Sequence, residues 1–398
     1  MVTYVLYIHL VSIELDGRRQ RSVASRAAIL DAAERLFSEG GYHATSLRTI
    51  ASSIGMSHAG VLKHFSSKGE LLAAILQRLE VDADAPELPA GLSAREGIRL
   101  IMEHTVAQQT AVHLRVVLLG EAMEGDHPAH DWVQGQLRRV ESELTHGLGV
   151  DGTELLALWN GLQLVAMYLP EIDSIGITDS HYASIADPDP DRPPAATSAV
   201  LRRGPASDNP TREQEIVQAA TRAFAHSGYR GAGLREIAAD VDLTHGALLY
   251  HFPTKLDLLT AVIEERDRDE SLPWSWEANG LDYLNGMYLQ ALHNEQHPGL
   301  ARLFSTLVCE ATDAEHPAHA YFRTRYLRFH GELRDALSEL VATGLARPGV
   351  DPDAEAFALI ALWEGLGLRG SYLVDETGLP ERLRSHLDAL LTVTLSHA

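Results

Sequence analysis

His58, Lys63, His64 and Lys68 fall within eleven residues of a 398-residue chain, and His245, Tyr250, His251 and Lys255 repeat the layout 187 positions later. Imidazoles and ammonium groups at this spacing form a row of hydrogen-bond donors. Such a row suits phosphate oxygens and base edges. Small neighbours sit beside it: Ala59 and Gly60 in one copy, Gly246 and Ala247 in the other. They let a backbone approach a partner closely, and alanine can touch a thymine methyl. Lys63 and Tyr250 hold the same place with different chemistry. No glycine-rich phosphate loop, nucleophile elbow or clustered metal-ligand motif accompanies these residues, so no enzyme activity, cofactor or metal is expected.

The elements that position these groups are themselves repeated. Nineteen of the 51 residues from Arg26 to Leu76 recur without a gap, among them Gly41-Tyr42 as Gly228-Tyr229, and Arg48 as Arg235. A repeat this long is a duplicated domain pair and not a solenoid. Apolar spacing predicts a first helix over about Arg26 to Glu39, closed by Gly40-Gly41. Ser46 is the expected N-cap of a second helix carrying Leu47, Ile50 and Ala51, with Gly233 a weaker cap in copy two. Gly55 supplies a left-handed turn; Asp242, which tolerates that conformation, stands in its place. Ser57 and Thr244 then cap third helices over His58–Phe65 and His245–Phe252. The first of these is expected to bury Val61, Leu62 and Phe65 and to leave His58, Ala59, Lys63 and His64 outside. Helix, tight turn, helix is the arrangement that lays its second helix in the DNA major groove.

The stretches TSLRTIASSIGMSHAGVLKHFSSKGELL and AGLREIAADVDLTHGALLYHFPTKLDLL resemble the DNA-binding region of the TetR (tetracycline-repressor) family. Phe65, Lys68, Leu71 and Leu72 match its pattern, as do Phe252, Lys255, Leu258 and Leu259. Leu62 and Leu249 depart from it, standing where the family often has Tyr. The resemblance implies an all-α protein of two units, each a helix-turn-helix head on a helical regulatory body. It implies a ligand-responsive regulator, of the repressor type, whose partners are a double-stranded DNA operator and a small-molecule effector. Ser46, Arg48, Ser57, His58, Ala59, Lys63, His64 and Lys68 are then the DNA-binding candidates in head one. Arg235, Thr244, His245, Gly246, Tyr250, His251 and Lys255 are those in head two. The implied effector cavity has as candidates His104, His113, Trp132, Trp159 and Tyr168, and in copy two Tyr326, His330, Trp363 and Tyr372. Trp159-x-Gly-Leu and Trp363-x-Gly-Leu resemble the family's dimer-interface helix. Two arrangements stay open: an intramolecular pseudo-dimer, or a homodimer carrying four heads. A different class of function, an interaction scaffold whose heads no longer bind DNA, also stays open.

Charge separates the regions. The net charge is −22. Gly17 to Glu80 carries nine basic and five acidic residues, hence +4, while Arg202 to Asp267 carries eight and ten, hence −2. Non-specific affinity comes mostly from neutralised phosphates, so head two should bind less tightly. The expected division is 17–80 and 211–267 for the heads, 81–186 and 268–398 for the bodies, and a Pro- and Asp-rich linker over 187–210. His127-Pro-Ala-His130 and His316-Pro-Ala-His319 read as helix starts, with proline in the first turn. Residues 173–187 read as poorly helical, whereas Leu379–Leu395 reads as a final helix. Trp274 and Trp276 read as a surface pair. One cysteine, Cys309, and no apolar run of membrane-spanning length suit a cytoplasmic protein. The apolar residues 1–16 make a poor signal peptide and are read as an appended arm or a misassigned start, with no function.

Overall fold

The computed structural model describes residues 2–82, 91–185, 211–267, 280–296, 298–373, 378–393 and 395. Among these lie eighteen helices and no strand, apart from one bridge between Ala346 and Leu391. Head one is α1 (Val2–Gly40), α2 (Leu47–Ser53), α3 (His58–Leu62) and α4 (Lys68–Asp82). Body one follows as α5 (Ala94–Val106), α6 (Gln109–Glu121), α7 (His130–Leu148), α8 (Gly152–Tyr168) and α9 (Ser174–Ile185). Head two is α10 (Arg212–Gly231), α11 (Leu234–Asp240), α12 (His245–His251) and α13 (Lys255–Asp267). Body two is α14 (Gly280–Gln296), α15 (Pro298–Glu310), α16 (His319–Ala342), α17 (Pro352–Gly370) and α18 (Leu379–Leu390). The linker 187–210 and the pair Trp274 and Trp276 lie outside the described residues.

Each head closes over its own apolar side chains. Ile29, Phe37, Ile50, Val61, Phe65, Leu71 and Leu72 are fully buried in head one; Ile216, Phe224, Leu258 and Leu259 are in head two. Helix α1 starts far earlier than Arg26 and runs through residues 2–16 as helix. Nothing stronger than Gly17 interrupts that stretch, and one interior glycine is tolerated.

The bodies meet along α8 and α17, whose backbones come unusually close. A Cβ on Gly161 would lie 1.8 Å from the Ala361 carbonyl oxygen, and one on Gly365 would lie 1.8 Å from that of Ala157. The contact is reciprocal, as at a two-fold axis. Tyr168 donates its hydroxyl to the Val308 carbonyl across the junction, and Tyr372 donates to that of Leu119 at 2.8 Å. Gln134 donates to the Tyr372 carbonyl at 2.8 Å, and Arg323 to the Tyr168 carbonyl. A second crossing joins α6 to α15, where Gly120 packs on Cys309.

Residues 174–185 are helical, contrary to the expectation for that stretch. Their weak local propensity is overridden by packing: Ile177, Thr178 and His181 are buried beneath α8 and α17. The His-Pro-Ala-His segments do lead into α7 and α16, but as turns ahead of the helix. His127 Nδ1 accepts from the Ala129 amide at 3.1 Å and His316 Nδ1 from the Ala318 amide at 3.2 Å. The prolines sit two residues before the first helical residue, not inside the first turn.

Candidate nucleic-acid interface

The turn between α2 and α3 is built by side-chain caps. Ser46 accepts from the Thr49 amide at 3.1 Å, and Ser57 from the Gly60 amide at 3.0 Å. Thr244 accepts from the Ala247 amide at 3.2 Å, whereas Gly233 offers α11 no side-chain cap. Gly55 has φ +66°, and Asp242 takes the same left-handed conformation at φ 54°. Helix α3 is shorter than its sequence suggests. Its end tightens into i→i−3 bonds, Lys63 to Gly60 and His64 to Val61. Val61 and Phe65 are buried, but Leu62 is 40% exposed. It points away from the core because it lies about 100° around the helix from Val61.

The exposed face gathers most of the DNA-binding candidates. Ser46, Arg48, Ser57, Ala59 and Lys63 are exposed, and His58 and His64 half-buried. In head two, Arg235, Thr244, Gly246 and Tyr250 are exposed, with His245 and His251 half-buried. Head two adds acid to this face. Glu236, Asp240 and Asp242 replace Thr49, Ser53 and Gly55.

Lys68 and Lys255 are placed differently from the others. The Lys68 ammonium donates to the carbonyls of Tyr42 (2.9 Å), Thr45 (3.1 Å) and His43 (3.4 Å), and lies 4.2 Å from the Tyr42 ring centroid. An ammonium has three donors, so its whole capacity is engaged in holding the turn after α1. Lys255 sits 4.9 Å from the matching Tyr229 ring. This fold-holding role was not read from the sequence.

That turn is also where each head joins its body. Glu121, the last residue of α6, accepts from the Tyr42 amide at 2.6 Å and from the His43 amide at 3.5 Å. Glu310, the last residue of α15, accepts from the Tyr229 amide at 2.8 Å. Gly41 makes room: a Cβ there would lie 2.3 Å from Glu121 Oε1. His127 packs edge-on against Tyr42 with ring centroids 5.0 Å apart, and His316 against Tyr229 at 5.2 Å. Burial pushes Glu121 up to about 7, against the Tyr42 hydrogen bond that lowers it and with the Glu310 charge adding to the rise. Burial also lowers Lys68 and brings His127 down to about 4. Sequence reading had the signal, since Gly41, Tyr42, Lys68, Glu121 and His127 all recur in copy two. In the sequence, Gly41 reads as a helix end, His127 as a helix start and Lys68 as a DNA-binding residue; the fold alone brings them together.

Each body holds a cavity. The first, about 320 Å³, is lined by Met102, Leu119, Trp132, Leu137, Leu155 and Trp159 among others. The second, about 390 Å³, is lined by Phe304, Phe322, Arg325, Trp363, Glu364 and Arg382 among others. Of the nine expected lining residues, Trp132, Trp159 and Trp363 are there. The remaining six are placed elsewhere. Tyr168 and Tyr372 are tied across the junction by the hydroxyl bonds above. His113 faces Thr312 of the other copy at 3.3 Å. His104 is exposed beside Gln108. His330 stacks on Phe357 at 3.8 Å, and Tyr326 is buried against Tyr168. Aromatic composition could not separate a cavity wall from a junction.

Two capped helix-turn-helix heads, each latched to a helical body with a cavity, define a regulator of the helix-turn-helix class. The family model for bacterial regulatory proteins of the tetR family matches residues 29–75 and 216–262, and that for the BetI-type transcriptional repressor C-terminal region matches 284–395. The chain belongs to the tetR family, with tandem N-terminal domains. It is 31% identical over 128 residues to the HTH-type transcriptional repressor AcnR of Corynebacterium diphtheriae, covering 32% of this chain and 62% of that protein. It is 28% identical over 200 residues to the HTH-type transcriptional regulator RutR of Escherichia coli, covering 48% of this chain and 87% of that one. A solved structure assigned to the TetR family, from Rhodococcus sp., is similar over 45% of this chain and 98% of its own, with 23% identity and a TM-score of 0.38. Among the described residues no helix is long and apolar enough to cross a membrane.

Proposed function

We propose that this chain is a ligand-responsive DNA-binding repressor acting in the cytoplasm, and that its two copies form a pseudo-dimer presenting two heads to one operator. One observation carries the reading: α6 and α15 each do two jobs. Arg115 and Leu119 of α6 line the first cavity, while Glu121 of the same helix holds head one. Phe304 and Val308 of α15 line the second, while Glu310 holds head two. A molecule that displaces either helix moves a head, because the carboxylate and the wall share one rigid element.

In head one, His58, Ala59, Lys63 and His64 face DNA, supported by Ser46, Arg48 and Ser57. In head two, His245, Gly246, Tyr250 and His251 do so, with Arg235 and Thr244. Lys68 is left out because its donors are engaged within the fold. The first cavity is the main sensor. Its lining is mostly apolar, with a few polar groups such as Thr105, Asn160 and Gln163. That combination suits a small apolar effector carrying a polar handle. The rim of the second is pinned to copy one instead, through Arg302–Glu124 at 2.9 Å and Arg369–Glu141 at 2.5 Å.

The mass of the protein–DNA complex tests the arrangement. One chain on a single asymmetric operator, with half-sites ~34–36 Å apart, is the expected outcome; two chains on a perfect palindrome would overturn the pseudo-dimer. Effector-induced release should fall much more in Trp159→Ala than in Trp363→Ala, and equal losses would remove the single sensor. A second reading has its own observation. The acids of head two favour an interaction role for that head, which salt-independent behaviour of its DNA retention would support.

A further inference from the structure

The junction between the copies contains a cluster that neither DNA binding nor the effector cavities use. Each of the four helices there contributes one side chain: Glu154 from α8, His181 from α9, Glu355 from α17 and His386 from α18. The two imidazoles stack with centroids 4.7 Å apart and planes 13° from parallel. Their side chains are 0% and 1% exposed, that of Glu355 is 3% and that of Glu154 26%. At one end of the stack, Glu154 Oε1 lies 3.2 Å from His386 Nδ1 and 3.5 Å from His181 Nε2. At the other end, Glu355 Oε1 lies 2.8 Å from His386 Nε2 and 3.4 Å from His181 Nδ1.

We propose that Glu154, His181 and His386 form a binding site for a divalent transition-metal ion of the zinc class, which links the two copies, with Glu355 orienting both imidazoles. The three ligand atoms lie within 4.8 Å of one another. A tetrahedral zinc ion with bonds of ~2.0–2.2 Å sets its ligand atoms about 3.4 Å apart. Both histidine-to-Glu154 separations are near that value; the third side, between nitrogens within 4.8 Å of each other, closes when the stacked rings tilt from parallel so that both lone pairs point at the ion. Two histidines and one carboxylate are a known zinc donor set that leaves a fourth position for water. Glu154, the half-exposed member, provides the open side. Metal-bound histidines usually pass their second N–H to a carboxylate, which fixes tautomer and ring orientation. Glu355 accepts from His386 Nε2 at 2.8 Å, faces His181 Nδ1 at 3.4 Å and is shut off from solvent. Charge also balances: one divalent ion offsets the two carboxylates between two neutral rings. Copy one supplies Glu154 and His181 and copy two His386, so the ion joins the halves where α8 and α17 meet. Sequence alone hides the site, because its ligands come from three helices and share no short motif.

The test uses the full chain, stripped with a chelator and then given zinc chloride or cobalt chloride. About one zinc per chain should survive gel filtration, cobalt should give the visible bands of a four-coordinate site, and zinc should raise Tm. Glu154→Gln and His386→Asn should each lose the retained equivalent and the cobalt bands. Glu355→Gln should keep the stoichiometry and weaken affinity about 10–100-fold. Should His386→Asn fail to fold by circular dichroism, Glu154→Gln, on the exposed side, still decides. Folded wild-type protein that retains no metal overturns the site, as does retention unchanged in Glu154→Gln.

Discussion

The two heads share a scaffold and differ in what they show to a partner. Both bury the same phenylalanines and leucines and both are gripped by a glutamate at a helix end. Head one has a serine cap on α2, an exposed Lys63 and a net positive charge. Head two has an uncapped α11, Tyr250 at 86% exposure and three acids on its outer face. The repeat therefore preserves what attaches a head to its body more strictly than what a head reads. Attachment depends on a few matched groups in a tight turn. A reading surface tolerates exchange, because nothing inside the fold leans on it.

The largest expected difference is in DNA affinity. Arg48→Ala with Lys63→Ala should weaken operator binding on the order of 100-fold and lower the salt slope by about two. Arg235→Ala with Tyr250→Ala should cost less than about tenfold. Fluorescence anisotropy at several salt concentrations compares them, and equal losses would erase the asymmetry of the heads. Next comes the seam. The folded Glu121 carboxyl sits at about 7 against an ordinary 4.5. A raised value means the stability is complete below pH ~4.5 and drains away as pH climbs through about 7, by ~3 kcal/mol at most. Thermal denaturation across that window should show Tm falling in the wild type and a flatter profile in Glu121→Gln. Glu310→Gln should shrink the fall by removing the neighbouring charge. A wild-type Tm that rises across the window would refute the assignment.

A smaller change should come from repairing head two. Glu236→Thr, Asp240→Ser and Asp242→Gly together give it the residues of head one, and should raise non-specific DNA affinity on the order of tenfold at low salt. No gain would mean that charge is not what weakens this head. The smallest effect concerns the caps. Ser46→Ala should destabilise head one by ~1 kcal/mol, whereas Gly233→Ser should stabilise head two by a few tenths. Both can be read from urea denaturation midpoints.

Features set by neighbouring residues were legible in the sequence. Ser46, Ser57 and Thr244 cap as expected, and Asp242 takes its left-handed turn, because caps and turns depend on two or three adjacent residues. Features set by distant partners were not. Helix α9 exists because α8 and α17 cover it, not because its residues favour a helix. Lys68 was read as a phosphate ligand because its carbonyl acceptors lie more than twenty residues back. Tyr168 and Tyr372 looked like pocket aromatics, yet their hydroxyls cross to the other copy. Only the tryptophans among the expected cavity residues reach a cavity wall, since hydrophobic spacing shows which face is inward but not what it meets.

The close backbone contact of Gly161 with Ala361, and of Gly365 with Ala157, has a consequence for how this molecule can change. In an oligomer of identical subunits every substitution is made twice, on both sides of the axis at once. An alteration harmful on one side is harmful on the other, and no compensating change can be confined to one. Here the equivalent positions are separate codons. The two glycines themselves are held, because what a side chain there would meet is a backbone carbonyl that no smaller residue opposite removes. The side chains around each crossing carry no such tie, and inheritance of the junction is free to become lopsided there, one position at a time.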